Sequence, residues 1–152
     1  MAPIPDSALD RLKLIVGPAA LERIGARVKD LENLEMRTAA VRADHPELEQ
    51  ALREGRDEVE ADGLPVNVRL HLSVHEVLAS QLADDDPVEV FQTAGRLLAA
   101  GYERHEVLHM LASPLAGEIL TALRRRGGLY RQRHLAALQA LPGSWERWSE
   151  RF

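Results

Sequence analysis

The sequence predicts an all-α protein, a helical bundle of six or seven helices. Apolar residues recur at intervals of three and four along most of the chain, which is the spacing of one face of an α-helix. Alanine, leucine, glutamate and arginine, all good helix formers, occupy many of the positions between them. No segment shows the strict alternation that is typical of a half-buried strand, so we expect no sheet.

A chain of 152 residues with 45% hydrophobic content is long enough to bury one core, and we expect a single domain. An acidic stretch with two glycines and a proline, residues 54–66, is the best candidate for a linker. It would separate an N-terminal helical segment, residues 1–53, from a histidine-bearing bundle, residues 67–141. Residues 142–152 would form a tail.

The N-terminal segment is expected to hold short helices over residues 7–16, 19–29, 31–41 and 46–53. Gly17 and Pro18 end the first of them, because glycine and proline interrupt a helix. Asp44, His45 and Pro46 have the pattern of a helix N-terminal turn. We therefore interpret His45 as a surface residue in a capping region.

The second half of the chain shows clearer helix boundaries. Asn67 is a suitable N-cap for a helix that extends to about residue 83. Asp86 and Pro87 open the next helix, which ends at Gly101. A longer helix over about residues 103–125 contains Pro114, which predicts a bend there or a division into two helices. A last helix covers about residues 129–141.

The composition limits the possible functions. Cysteine is absent, which excludes disulfides, thiolate metal ligands and a thiol nucleophile. No stretch approaches the length of about 20 apolar residues needed to cross a bilayer, and no leader pattern begins the chain. We expect a soluble, cytoplasmic protein with no membrane partner.

The net charge of −5 is unevenly distributed, since the C-terminal region is basic and the rest is acidic. We interpret the basic region as a solvated helix face that complements the acidic body, and we do not expect nucleic-acid binding, because no reading motif accompanies it. The seven arginines of this region are Arg124, Arg125, Arg126, Arg131, Arg133, Arg147 and Arg151.

Two histidine pairs are the main indication of chemistry. His71 and His75, and likewise His105 and His109, stand four residues apart in helical sequence. Residues four apart project from the same helix face, about 6 Å apart along the axis, so each pair can close on one ion. If the helix between the pairs runs antiparallel to both, the two histidine helices are parallel, and the four imidazoles lie at one level.

The pattern predicts a four-histidine site for a divalent transition metal such as zinc, iron, manganese or nickel. Three carboxylates are candidates for additional roles. Glu76 and Glu106 each follow a histidine directly and could accept a proton from a metal-bound water, while Glu118 is a further candidate ligand. The metal cannot be named from the ligands, because imidazole suits several of these ions.

Two other interpretations stay open. Residues 105–109 read His-Glu-Val-Leu-His, the signature of zinc peptidases, in which Glu106 would be the general base; no third ligand follows at a familiar spacing. Alternatively, the histidines are structural, and the chain is a non-catalytic helical interaction module. Such a module could form a homodimer through apolar stripes and the tail that carries Trp145 and Trp148.

The strings Asn67-Val-Arg-Leu-His71-Leu-Ser-Val-His75 and Gly101-Tyr-Glu-Arg-His105-Glu-Val-Leu-His109-Met, together with Gln81 and Glu118, resemble a bacterial family catalogued as a domain of unknown function (number 1841). The resemblance covers about residues 65–122, and the two spaced histidine pairs are its specific part. It implies that the four histidines act as a unit. It carries no activity to this chain, so the hypothesis is a metal-binding helical protein, with hydrolase or oxidoreductase activity as its catalytic form.

Overall fold

The computed structural model describes residues 8–61, 64–125 and 131–145. These residues form eight α-helices, one short 3-10 helix and one two-stranded sheet. The predicted predominance of helix is confirmed, but the predicted count of six or seven helices is too low. The helices are α1 (Ala8–Ile15), α2 (Pro18–Ile24), α3 (Leu34–Ala43), α4 (Pro46–Arg53), α5 (Val68–Asp84), α6 (Val88–Ala99), α7 (Arg104–Arg125) and α8 (Arg131–Gln139).

The second helix ends earlier than the sequence predicts. Gly25 follows α2 with a φ of 65°, a left-handed conformation that glycine adopts without steric cost, and its N–H bonds back to the carbonyl of Glu22. Residues Val28–Glu32 then form the 3-10 helix, with Leu31 fully buried. The N-terminal part of the chain is therefore divided into short helices by local breaks.

The segment predicted as a linker contains the sheet, which was not expected from the sequence. Strands β1 (Glu58–Ala61) and β2 (Leu64–Asn67) pair antiparallel, with Val59 opposite Val66. Val59 packs partly buried against the core. Four-residue strands are too short to display a clear alternation, and this explains why periodicity alone missed them.

Helix α5 is the centre of the fold, since α1, α3, α4 and α7 all pack against it. Its buried positions recur at intervals of three and four, which places one broad stripe of the helix in the core. His71 and His75 belong to that stripe, at 7% and 4% exposure. The polar imidazoles thus occupy positions where the helix pattern places apolar side chains such as Leu78 and Leu82.

The beginning of α5 is fixed as predicted. The side chain of Asn67 accepts a hydrogen bond from the N–H of Leu70 at 2.8 Å. This bond satisfies one of the N–H groups that have no partner within the first turn of a helix. The cap sets the phase of the helix, and with it the face that carries His71 and His75.

Arginine side chains join the helices across the bundle. One Nη atom of Arg11 on α1 donates to the carbonyls of Leu82 and Ala83 at the end of α5, each at 2.8 Å. Arg96 on α6 donates to the carbonyl of Leu141, after α8, at 2.6 Å. Both arginines satisfy carbonyl groups near helix ends, where no backbone donor follows.

Helix α7 continues through Pro114 from residue 104 to residue 125, so the predicted long helix is confirmed, and the alternative, a division into two helices, is wrong. Its buried side chains, among them Leu111 and Leu115, face α5, α6 and α8. Of the two tail tryptophans, Trp145 packs partly buried against the core, while Trp148 lies outside the described residues. In the described part of the chain, no helix is long and apolar enough to cross a membrane.

Candidate metal centre

Four histidines meet between α3, α4, α5 and α7. Each offers a ring nitrogen, and these four nitrogens all lie within 4.8 Å of one another. The ring centroids are separated by 4.4 Å at the closest, between His45 and His75, and by 6.4 Å at the widest, between His45 and His109. The members of this group, called the four-histidine cluster below, are His45, His71, His75 and His109.

Three of the four histidines that the sequence singled out are in the cluster. His71 and His75 come from α5 and contact His109 of α7 at centroid distances of 5.4 and 5.2 Å. The two helices therefore bring these three imidazoles together, as expected for histidines that lie at the same level of adjacent helices. The fourth predicted residue, His105, lies beside the cluster, with its ring 4.4 Å from that of His109, and it is exposed.

His45 takes the fourth position, and the interpretation of this residue as a surface group is wrong. It is the N-cap residue of α4, as the sequence pattern indicated, but its side chain turns toward the cluster and is only partly exposed. The sequence carries no local signal that would have placed His45 in the cluster. A turn that joins two packed helices carries its side chain either outward or into the bundle, and the local pattern does not distinguish the two.

The ring of His45 is held by the end of α3. Its Nδ1 lies 2.8 Å from the carbonyl oxygen of Val41, and a hydrogen bond there requires Nδ1 to carry the proton. The backbone N–H of His45 bonds instead to the carbonyl of Arg42. The Nε2 of His45 is buried and has no hydrogen-bond partner among the described residues. That nitrogen therefore presents its lone pair within the cluster.

Burial keeps the cluster uncharged. Loss of hydration lowers the pKa of His71 to about 3 and that of His109 to about 4. The same cause lowers the pKa of His45 and holds that of His75 well below its ordinary value. The neighbouring imidazoles add to the effect, because a second positive charge nearby would be repelled. At neutral pH the four rings are neutral, which is the form that binds metal ions.

An ion pair joins the elements that carry the cluster. Asp44, next to His45, lies 3.4 Å from Arg104, the first residue of α7. The other carboxylate oxygen of Asp44 accepts a hydrogen bond from the N–H of Gly17 at 3.3 Å. Arg104 also donates to the carbonyl of Leu14 at 3.4 Å. The end of α1, the turn between α3 and α4, and the start of α7 are thus fastened together beside the cluster.

The candidate carboxylates lie outside the cluster. Glu76 points toward Arg42, at 3.8 Å, near the surface, and Glu106 is exposed. Glu118 is buried, but its two oxygens accept hydrogen bonds from Arg133 at 2.6 and 2.8 Å. The structure brings none of the three into the group whose ligand atoms meet within 4.8 Å.

Glu118 lies in a different part of the molecule, where it lines a cavity of about 580 Å³ between α7 and α8. Its wall includes Pro114, Leu141 and Trp145. Arg131, on the same helix as Arg133, pairs with Asp86 and Glu89 at 3.4 and 3.6 Å. These two arginines of the basic region therefore face acids of the body, in line with the predicted charge complementarity.

The cluster has the dimensions of a metal site in a slightly expanded form. For a metal–nitrogen bond of about 2.05 Å, four nitrogens at the corners of a tetrahedron lie about 3.3 Å apart. Nitrogens up to 4.8 Å apart need only to move inward by about an ångström to reach that arrangement. Rotation of the imidazoles about their side-chain bonds is sufficient for a shift of this size.

The comparisons with known proteins place the chain in a family. Residues 22–140 match the family described as a domain of unknown function (DUF1841). Because the match covers well over half of the chain, the chain belongs to this family, as the histidine strings suggested. Searches of curated proteins and of solved structures find no significant match. The matched range includes the four histidines of the cluster, His45 among them, and the neighbouring His105.

Proposed function

We propose that this chain binds one divalent transition-metal ion through the imidazoles of the four-histidine cluster. The observation that carries the proposal is the state of His45. Its Nδ1 is engaged by the carbonyl of Val41, and its Nε2 is buried with no hydrogen-bond partner in the described parts of the chain. A ligating histidine characteristically donates its second nitrogen to a carbonyl or carboxylate, which fixes the tautomer and the ring orientation.

The chemistry of the cluster favours a particular class of metal. All four donors are neutral imidazole nitrogens, and no carboxylate of the described residues joins them. Such donors suit zinc, iron, nickel and copper, whereas magnesium and calcium prefer oxygen. Manganese, like magnesium and calcium, usually takes oxygen ligands. It would fit a site that included Glu76, Glu106 or Glu118 better than it fits this all-nitrogen cluster. We therefore expect zinc, iron, nickel or copper ahead of manganese.

A catalytic role would require a coordination position open to a substrate or water. The ion would act as a Lewis acid or lower the pKa of a bound water, for hydrolysis, or change its oxidation state, for an oxidoreductase. The four-histidine cluster alone supplies the metal ligands and no general base, because Glu76 and Glu106 lie outside it. The same placement of Glu106 gives no support to a peptidase mechanism.

The rival function is a helical interaction module in which the imidazoles are structural. What supports it is the close packing of the rings, for example His71 on His75 at a centroid distance of 4.7 Å. In this case the chain would act through its surface, for example as a homodimer, and the cluster would only fill the core. The two functions differ in a measurable property, the affinity of the cluster for metal.

A competition titration tests the proposal. The metal-free protein is titrated with zinc in the presence of a chromophoric chelator, together with His75→Ala and the control His134→Ala. His134 is also a buried histidine, at 5% exposure, but it lies on α8 outside the cluster. We expect one tight site in the wild type and in His134→Ala, and its loss in His75→Ala. Equal zinc affinity in all three proteins would favour the structural module.

A further inference from the structure

The four-histidine cluster is more accessible on one side than on the other. His71 and His75, on α5, are buried, at 7% and 4% exposure. His45 and His109 are partly exposed, and His105, one helical turn before His109, is exposed. The ring nitrogens themselves are buried, and the first turn of α7 is the side of the cluster that lies nearest to solvent.

His105 stands on this side of the cluster. Its ring lies 4.4 Å from that of His109 and 6.4 Å from that of His45, measured between centroids. It is the second residue of α7, and its side chain is not confined by the core. Exposed side chains change rotamer within nanoseconds, so the imidazole can approach the cluster or leave it at little cost.

The charges on this side of the cluster determine what could replace His105. A divalent ion held by four neutral imidazoles keeps its full charge of +2, since the cluster itself contains no carboxylate to offset it. Asp44, the acid next to His45, is already paired with Arg104. The site would therefore attract small anions that donate one lone pair to the metal.

We propose that His105 is an exchangeable fifth ligand, which covers the side of the metal nearest to solvent and gives way to a small coordinating anion. The inference rests on the proposed metal site and deepens it, because it names the position where an external ligand binds and the chemical class of that ligand. Removing His105 leaves the four-histidine cluster in place and frees the fifth position.

The experiment uses cobalt(II), whose visible absorption is stronger in four-coordinate than in five-coordinate sites, and azide as the anion. Cobalt-loaded wild type, His105→Ala and the control Glu103→Gln are titrated with azide. Glu103 is an exposed neighbour just before α7. We expect all three to bind one cobalt per chain, and His105→Ala alone to show the stronger absorption before azide is added.

The azide affinity of His105→Ala should rise by about tenfold, if His105 occupies the position in about nine molecules of ten, because the competing ligand is removed. Identical spectra and azide affinities in wild type and His105→Ala would overturn the inference and leave the metal site intact. A failure of the wild type to bind cobalt would overturn the metal site itself, and His105 with it. The two failures are thus distinguishable.

Discussion

The Nδ1 atom of His45 lies 2.8 Å from the carbonyl oxygen of Val41, one turn earlier in the chain. Val41 is in the last turn of α3, where carbonyl groups lack the backbone donors that a continuing helix would supply. The imidazole takes the place of such a donor. A single hydrogen bond thus satisfies a carbonyl at the end of one helix and fixes the orientation of a candidate metal ligand at the start of the next.

His45→Ala should weaken metal binding as strongly as loss of a ligand on α5. We expect the zinc affinity to fall by about 100-fold or more, above the effect typical of outer-shell partners. Chelator competition measures the affinity, and Glu47→Ala, an exposed change in the first turn of α4, is the matched control. An unchanged affinity in His45→Ala would remove this residue from the site.

Asp44→Asn should lower zinc affinity although Asp44 is not a proposed ligand. The Asp44–Arg104 pair fastens the turn that carries His45 to the start of α7. We expect a loss of about tenfold, at the lower end of the range for residues that orient metal ligands. The zinc affinity of the double variant Asp44→Asn/Arg104→Gln should be no lower than that of whichever single variant binds zinc less tightly, because the two residues act through one contact. Additive losses would show that they act separately.

The metal-free protein should become less stable as the pH falls below about 6.5. A histidine in the unfolded chain takes up a proton near that pH, whereas the folded pKa of His71 is about 3 and that of His109 about 4. The stabilising contribution is therefore complete above pH 6.5 and declines from there, to about pH 4 for His109 and to about pH 3 for His71. As the pH falls, the unfolded chain binds a proton at each of these histidines and the folded chain does not. Each such histidine therefore lowers the free energy of unfolding by up to about 1.4 kcal/mol for every pH unit of the fall.

Urea denaturation of the metal-free protein at pH 7, 6 and 5 measures this dependence. The variant His71→Gln, which replaces one of the titrating groups by a neutral amide, should show a shallower decline than the wild type. A free energy of unfolding that stays constant between pH 7 and pH 5 would contradict the burial of neutral imidazoles.

Glu118→Gln should destabilise the fold and leave metal binding unchanged. The Glu118 side chain is 9% exposed and accepts both hydrogen bonds from Arg133, whose side chain is 44% exposed. Removing one partner of a buried pair costs about 3–5 kcal/mol. Because solvent reaches Arg133, we expect about 2 kcal/mol here, measured by urea denaturation. A loss of zinc affinity in this variant would make Glu118 part of the site after all.

Much of the C-terminal half of the fold follows from local sequence. Asn67 caps α5 as its position before an apolar helix predicts, and the four-residue spacing places His71 and His75 on one face. The inward direction of that face follows from the stripe it shares with Leu78 and Leu82. These predictions depend only on helix periodicity and capping, which act over a few residues.

The features that local sequence did not predict depend on contacts between distant residues. His45 joins the cluster because α3 and α4 both pack against α5, a relationship that no local spacing encodes. His105 stands four residues before His109, the same spacing as in the His71–His75 pair, but it lies on the exposed side of the first turn of α7, whereas Val107 of that turn is buried. Helical spacing identified the pair, and the packing of α7 against its neighbours decided that His109, and not His105, joins the cluster.

The most direct test of the account is the metal content of the protein purified without an affinity tag and without added metal. Elemental analysis is made on the wild type and on the double variant His75→Ala/His109→Ala. The account predicts about one transition-metal ion per chain in the wild type, the stoichiometry of a single four-ligand site, and almost none in the double variant. A wild-type protein that contains no stoichiometric metal, or a double variant that keeps it, would contradict the account.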